Sequence, residues 1–333
     1  MTLEKITSLQ KKRETLIANN IIRADLLENI RYQSNQPHGF ALNLAGHCNA
    51  KCSYCPQSLT DVPKEYIDRA TVRRLLAATE NVPTYFQLGT RGENLLHPGF
   101  FEIIREIRRN NVKHYITLNT NGRLLTPDFA LRVLTSGIDQ LIFSLQSMNP
   151  VIYRQLTNYD RLDKILRNMT TTVGLNQGLE KKVLIGIQYL DTPENRPYYE
   201  EFEKFWAAYD VYTYTQKLHN WGNKFDQDTY APVKRYPCLA LWLYPVVSHR
   251  GNLCSCFADF YEENVFGSLD QTSLTAIWNG SERRKTMMQE HLNSEWDKNG
   301  LCRSCRGYQE FENIFIEQNN RFRLPEGPEK KEA

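Results

Sequence analysis

Between Phe40 and Thr215 the chain repeats one unit, a short apolar run followed by an amphipathic stretch with helical spacing. The apolar runs predict strands at 40–44, 84–88, 114–118, 140–145, 183–190 and 211–215. The stretches between them predict helices at 67–79, 100–110, 128–136, 151–172 and 194–208. The third helix has Thr126 as its cap, Pro127 at its first position and Gly137 just past its end, the asymmetry expected of helix termini. Strands that alternate with helices pair in parallel through right-handed crossovers, which leaves an α/β sheet or barrel. Six units are too few to close an eight-stranded barrel, so the expected fold is α/β, an open (β/α)6 partial TIM barrel. Chemistry in such folds sits on loops at the C-terminal strand ends.

Outside that repeat the pattern changes. Residues 1–37 carry apolar positions at helical spacing, among them Ile17, Ile21 and Leu26, and predict an N-terminal helical extension to the 38–218 core. After Leu218 the alternation fades while five of the eight cysteines follow, which predicts a small metal-organised domain over 219–320. The Pro- and Glu-rich end, 321–333, has the composition of a disordered tail. With 41% apolar and 24% charged residues the chain is neither disordered, collagenous nor membrane-spanning in composition. Its longest apolar run, Leu239 to Val247, is nine residues and contains Pro245, so neither a membrane nor an export signal is expected, and the expected location is cytoplasmic. A net charge of +3, evenly spread, does not predict a nucleic-acid partner. In a reducing compartment clustered cysteines are more often metal ligands or catalytic groups than disulfides.

The first predicted strand runs into Gly46-His47-Cys48-Asn49-Ala50-Lys51-Cys52-Ser53-Tyr54-Cys55, a C-x3-C-x2-C loop at a C-terminal strand end. Three thiolates can hold three irons of a cubane cluster and leave the fourth open, whereas a closed structural site normally takes four protein ligands. The alternative is a zinc loop that borrows a remote fourth ligand such as His47. The loop resembles that of the radical S-adenosylmethionine (radical SAM) superfamily. The resemblance implies a [4Fe-4S] cluster on Cys48, Cys52 and Cys55 whose open iron binds S-adenosylmethionine, and reductive cleavage to a 5′-deoxyadenosyl radical. It also implies a one-electron donor such as flavodoxin or ferredoxin. Tyr54 stands at the aromatic position that packs by the adenine. The stretch Leu88-Gly89-Thr90-Arg91-Gly92-Glu93 resembles the family's glycine-glycine-glutamate motif, so Gly92 and Glu93 are expected to hold the methionine amine, while Arg91 replaces the first glycine. Asn121, Ser144 and Gln188 match strand-end positions that bind the cofactor's ribose and carboxylate; turn or cap roles are the alternative for each.

Cys238, Cys256, Cys302 and Cys305 form a second set, with Gly251 five residues before Cys256 and a C-x2-C pair at 302–305. Together with Trp242, Gly267-Ser268-Leu269 and Ala276-Ile277-Trp278, this spacing resembles the SPASM/twitch extension of radical SAM enzymes. No cysteine follows soon after Cys305, which points to the shorter twitch form with one auxiliary [4Fe-4S] cluster; a closed tetrahedral zinc site is the alternative. Cys254 is left over, a spectator, an alternate ligand or a functional thiol.

The resulting expectation is an enzyme that abstracts a hydrogen atom from a small polar substrate, a sugar, aminocyclitol or related molecule, and oxidises it with the auxiliary cluster as electron acceptor. An epimerase with Cys254 as hydrogen-atom donor, a peptide- or protein-modifying maturase, and a zinc-stabilised binding protein are the alternatives. Residues 1–36 are too few and too helical for the leader-recognition domain that peptide modifiers often carry, which favours the small molecule. His219, Trp221, Asp226 and Asp228 are candidate hydroxyl-binding groups.

Overall fold

The computed structural model describes residues 36–311 apart from 38, 227–228, 231–234 and 236. The expected N-terminal helices, the 321–333 tail and Asp228 lie outside the described residues. All six expected strands form: β1 Gly39–Leu42, β2 Tyr85–Leu88, β3 Tyr115–Thr120, β4 Gln140–Gln146, β5 Leu184–Asp191 and β6 Tyr212–Lys217. They pair in parallel in the order β6-β5-β4-β3-β2-β1. The crossovers are α1 Arg69–Ala77, α2 Phe100–Asn110, α3 Pro127–Leu134, α4 Pro150–Thr157, α5 Leu162–Gln177 and α6 Tyr199–Trp206. Side chains such as Phe40, Phe86, Ile104, Phe143 and Trp206 fill the layer between sheet and helices. Burying one such side chain stabilises by about 1.5–3 kcal/mol.

Capping chemistry sets the helix starts. Asp68 accepts the Ala70 N–H at 2.7 Å to open α1, and Thr126, with Pro127 behind it, opens α3 as expected. The single helix expected over 151–172 is instead two, because Asn158 adopts the left-handed conformation (φ 50°) and closes α4. That break has a use. Asn158 Nδ2 donates to the Lys51 carbonyl at 2.6 Å, and the Ser53 N–H donates to the Leu156 carbonyl at 2.9 Å, so the end of α4 braces the first cysteine loop. The helix expected from 194 begins later, after a 3₁₀ turn at Arg196–Tyr198 that holds Pro197.

The cysteine-rich C-terminal part does not simply follow the sheet; it extends it. A four-residue helix, α7 Ala240–Leu243, precedes β7 Val246–Val247, which pairs in parallel with β1. β8 Asn252–Cys254 and β9 Val265–Ser268 continue antiparallel. The nine-stranded sheet, ordered β6-β5-β4-β3-β2-β1-β7-β8-β9, is therefore open, mostly parallel and not closed into a barrel. Helices α8 Leu274–Gly280 and α9 Glu282–Leu292, capped by Ser273 and Ser281, pack on this extension through Ile277, Trp278 and Met287. Among the described residues no helix is long and apolar enough to cross a membrane.

Candidate active site

The loops after β1, β2 and β3 meet at one end of the sheet. Gly92, at φ +66°, lets the β2 loop lie against the cysteine loop; a Cβ there would stand 2.3 Å from the Ala45 carbonyl oxygen. The Glu93 N–H then donates to the His47 carbonyl at 3.0 Å. Asn94, fully buried, donates to the Leu42 carbonyl and accepts the Leu44 N–H, each at 3.0 Å, tying the two strand ends together.

Within this frame Cys48, Cys52 and Cys55 are free thiols on one loop. Burial pushes the titration of all three up, and the neighbouring thiols push Cys48 and Cys55 further. Thiols that repel one another as anions in a desolvated loop are stabilised by a positive group, which is what an iron-sulfur cluster supplies. Among the described residues no three His, Cys, Asp or Glu are gathered tightly enough for a single metal ion. Three thiolates suit a cubane with one open iron, whereas a closed zinc site normally takes four protein ligands. His47, the remote ligand of the zinc alternative, packs its ring edge-on against Tyr66, with centroids 5.2 Å apart.

These residues line a cavity of ≈ 430 Å³ that runs down the inside of the sheet. Every residue the sequence nominated for the cofactor reaches it: Tyr54, Gly92, Glu93, Asn121, Ser144 and Gln188. Glu93 is buried, its Oε2 accepting from Thr120 Oγ1 and the Asn121 N–H at 3.0 Å each. Burial raises its carboxyl to about 7, with these hydrogen bonds and the Arg123 charge opposing. Asn121 Nδ2 lies 3.6 Å from Cys48 Sγ, so this residue joins the acid, through its backbone N–H, to the thiol loop, through its side chain. Tyr54 hydrogen-bonds toward Cys52, and Gln188 Oε1 accepts from Tyr214 at 3.1 Å.

Two features had no signal in the sequence motifs, and a third, Arg91, showed only as a departure from one. Arg123 donates to the Asn49 carbonyl at 2.6 Å and the Thr157 carbonyl at 3.2 Å, locking the cysteine loop to α4. Gln146 ends β4 at φ 72°, with its Oε1 buried, unpartnered and at the cavity wall. Such an acceptor is satisfied when a ligand brings a donor. The strained turn is held by Asn195, whose Nδ2 donates to the Gln146 carbonyl at 2.6 Å. Arg91, the departure from the glycine motif, is buried, and its guanidinium donates to the Cys256 carbonyl at 2.9 Å and the Asp259 carbonyl at 2.5 Å. It ties the β2 loop to the second cysteine region.

There, Cys238, Cys256, Cys302 and Cys305 are drawn together from three segments: before α7, after β8, and the turn after α9. Burial raises Cys238, Cys256 and Cys302, and the charges of neighbouring thiols in the set raise these three further. Arg235 answers that charge, donating to the Arg303 carbonyl at 2.8 Å with its guanidinium over Trp296. Gly251 (φ +75°) makes the β7–β8 turn. Cys254 stands apart: fully buried, it packs with Ala41 and Val246 and is not among the residues lining the cavity. His219 and Trp221 do line it; Asp226 is exposed and does not.

The profile of the radical SAM superfamily matches residues 42–178, and that of the SPASM iron-sulfur cluster-binding domain matches 238–306. The chain is a radical SAM enzyme with a SPASM domain. It accordingly uses a [4Fe-4S] cluster, S-adenosylmethionine and auxiliary iron-sulfur chemistry. Among solved radical SAM structures, anSMEcpe with bound AdoMet superposes at TM-score 0.61 and 16% identity, covering 85% of this chain and 98% of that one. BtrN in complex with AdoMet and 2-DOIA gives 0.56 and 17%, covering 80% and 92%. SuiB of Streptococcus suis bound to S-adenosylmethionine gives 0.58 and 13%, covering 84% and 75%. These likenesses show the fold. In sequence, this radical SAM protein is 30% identical over 155 residues to a GTP 3′,8-cyclase of Peptoclostridium acidaminophilum, and 32% over 143 residues to one of Microcystis aeruginosa. The first match covers 44% of this chain and 46% of the cyclase, the second 40% and 39%, so under half of either relative is spanned.

Proposed function

We propose that this radical SAM enzyme is a dehydrogenase of a polar, hydroxylated small molecule, a sugar, aminocyclitol or related compound. Cys48, Cys52 and Cys55 hold the radical cluster, Glu93 pairs with the methionine ammonium, and Cys238, Cys256, Cys302 and Cys305 hold the auxiliary cluster. The chemistry the loaded sites supply is reductive cleavage of S-adenosylmethionine, by an electron from flavodoxin or ferredoxin, and later acceptance of an electron from the substrate. The residues of the chain position the partners. Asn121, Ser144 and Gln188 orient the cofactor at the strand ends, and Gln146 Oε1 accepts a ligand hydroxyl. Loss of a hydrogen atom beside a hydroxyl, then of the hydroxyl proton and one electron, leaves a carbonyl and balances the reaction.

The observation that carries this reading is the cavity. It runs from the first thiol loop, where the residues assigned to the cofactor lie, to a wall of His219, Trp221 and Phe257 that backs onto the second thiol set, so a substrate bound beside the cofactor would lie between the two sets. Its remaining lining is rich in tyrosine and glutamine, with Tyr85, Gln87, Gln140 and Tyr244 among them. Of its cations, Arg91 and Arg123 are committed to backbone carbonyls and Lys217 to Asp191. Among the lining residues described, no cluster of uncommitted cations is left to grip a triphosphate, which speaks against a cyclase acting on GTP. The epimerase reading would need Cys254 at the substrate. Its burial among Ala41 and Val246 favours dehydrogenation. Anaerobic turnover of candidate sugars and cyclitols in deuterium oxide is the test: the oxidised product carries no deuterium at the attacked carbon, and Cys254→Ala keeps most activity. Solvent deuterium at that carbon, with product lost in Cys254→Ala, means epimerisation instead.

Glu93 gives a second expectation. Glu93→Gln keeps the shape of the buried group and removes its charge, so cofactor affinity falls by about 1.5–3 kcal/mol, roughly 10- to 150-fold, with iron content unchanged. Because the free carboxyl titrates near 7, the neutral acid predominates below that pH and affinity rises as pH passes upward through about 7. The same shift makes the unliganded fold lose stability as pH rises from about 4.5 to about 7, since over that window the folded state holds the proton that the unfolded chain has already released. Calorimetric titration with S-adenosylmethionine from pH 6 to 8 checks the affinity, and the melting temperature of the unliganded protein from pH 4.5 to 8 checks the stability. Equal affinity in Glu93→Gln assigns Glu93 to loop structure alone.

A further inference from the structure

Two buried histidines face the second thiol set, and their hydrogen bonds fix which ring nitrogen carries the proton. His219 Nδ1 accepts the Trp221 backbone N–H at 2.7 Å, and its Nε2 lies 3.6 Å from Cys305 Sγ. His291 repeats the arrangement: Nδ1 accepts the Cys238 backbone N–H at 3.1 Å, and Nε2 lies 3.4 Å from Cys302 Sγ. A nitrogen that accepts a hydrogen bond carries no proton, so each ring has its single proton on Nε2. Each Nε2–H therefore donates to a sulfur. The approach of His219 is built into the chain, since a Cβ at Gly307 would stand 2.5 Å from its Nε2. Phe257 packs on the other side of the ring, with centroids 4.9 Å apart.

We propose that His219 and His291 are positioning residues that raise the reduction potential of the auxiliary cluster and so make it an electron acceptor. The inference rests on the reading of the four-thiol set as an iron-sulfur site. Hydrogen bonds to cluster sulfurs stabilise the reduced state, which carries more negative charge, over the oxidised one. The two donors sit on the two members of the C-x2-C pair, so both act on one edge of the site. His219 has a second consequence: it also lines the cavity. With its N–H committed to Cys305, it meets the substrate through its ring and stands between substrate and cluster ligand, rather than serving as the hydroxyl-binding group its sequence position suggested.

The test is a potentiometric titration of the full-length holoprotein followed by electron paramagnetic resonance, with S-adenosylmethionine present to mark the radical cluster by its altered signal. His219→Phe and His291→Phe each lower the equilibrium constant for one-electron reduction of the auxiliary cluster about tenfold, a negative shift of ~59 mV. His219→Gln, which can present an amide N–H in place of Nε2–H, restores most of the loss. Unsubstituted protein labelled with ¹⁵N-histidine gives a nitrogen coupling to the reduced auxiliary cluster, a readout that does not depend on how any variant folds. Unshifted potentials in both Phe variants with the cluster intact, or no nitrogen coupling, overturn the inference while leaving the iron-sulfur reading in place. Zinc in the four-thiol site overturns that reading and the inference with it.

Discussion

Changing Cys48, Cys52 and Cys55 together to alanine removes about half of the iron and all reductive cleavage of S-adenosylmethionine. The size of the effect follows from the donor sets. Three thiolates leave an iron open to the cofactor's amine and carboxylate, and four leave none, so only the loop after β1 can activate the sulfonium. The fold should survive, because that loop is held by contacts other than its thiols: Asn94 on the β1 end, Arg123 on Asn49 and Asn158 on Lys51. Iron analysis together with chromatography of 5′-deoxyadenosine after dithionite reduction checks it. Deoxyadenosine formed at the parent rate in the triple variant refutes the site assignment.

The converse pair, Cys302→Ala with Cys305→Ala, keeps uncoupled cofactor cleavage and loses product. Here a structural cost is expected as well. The segment around 302–305 is held by few apolar side chains, Leu301 and Tyr308 among them, and by Arg235 on backbone carbonyls, so the cluster supplies much of its folding free energy. A loss of roughly 5 °C or more in melting temperature follows, read by calorimetry on anaerobic protein. Because Arg91 joins the Cys256 loop to the cofactor loop, some loosening should reach S-adenosylmethionine affinity, in the direction of weaker binding. Normal turnover with zinc in the four-thiol site refutes a redox role for it.

How much of this was legible in the sequence depended on whether the signal was local. The six strands and their helices were, because apolar period and capping residues such as Thr126 and Pro127 act over a few positions. The first cysteine loop was, because its three thiols lie within eight residues. The join between sheet and SPASM region was not: β7 is two residues, Val246 and Val247, directly after Pro245, and its partner β1 is some two hundred residues earlier. The break at Asn158 was hidden because a left-handed Asn looks in sequence like any helix-surface residue. The reach of Arg91 to Cys256, and of His219 and His291 to cysteine sulfurs, are contacts between distant segments that no spacing records. Arg91 alone left a trace, as the residue that breaks the glycine motif.

The central claim is that one thiol set cleaves the cofactor while the other stands apart as an electron acceptor. The most direct measurement is electron paramagnetic resonance of the anaerobically reconstituted, reduced protein with and without S-adenosylmethionine. Two distinct [4Fe-4S] signals are predicted, of which one changes on cofactor addition and disappears in the Cys48, Cys52, Cys55 triple variant, while the other is unmoved. A single signal, or two that both respond to S-adenosylmethionine, contradicts the account.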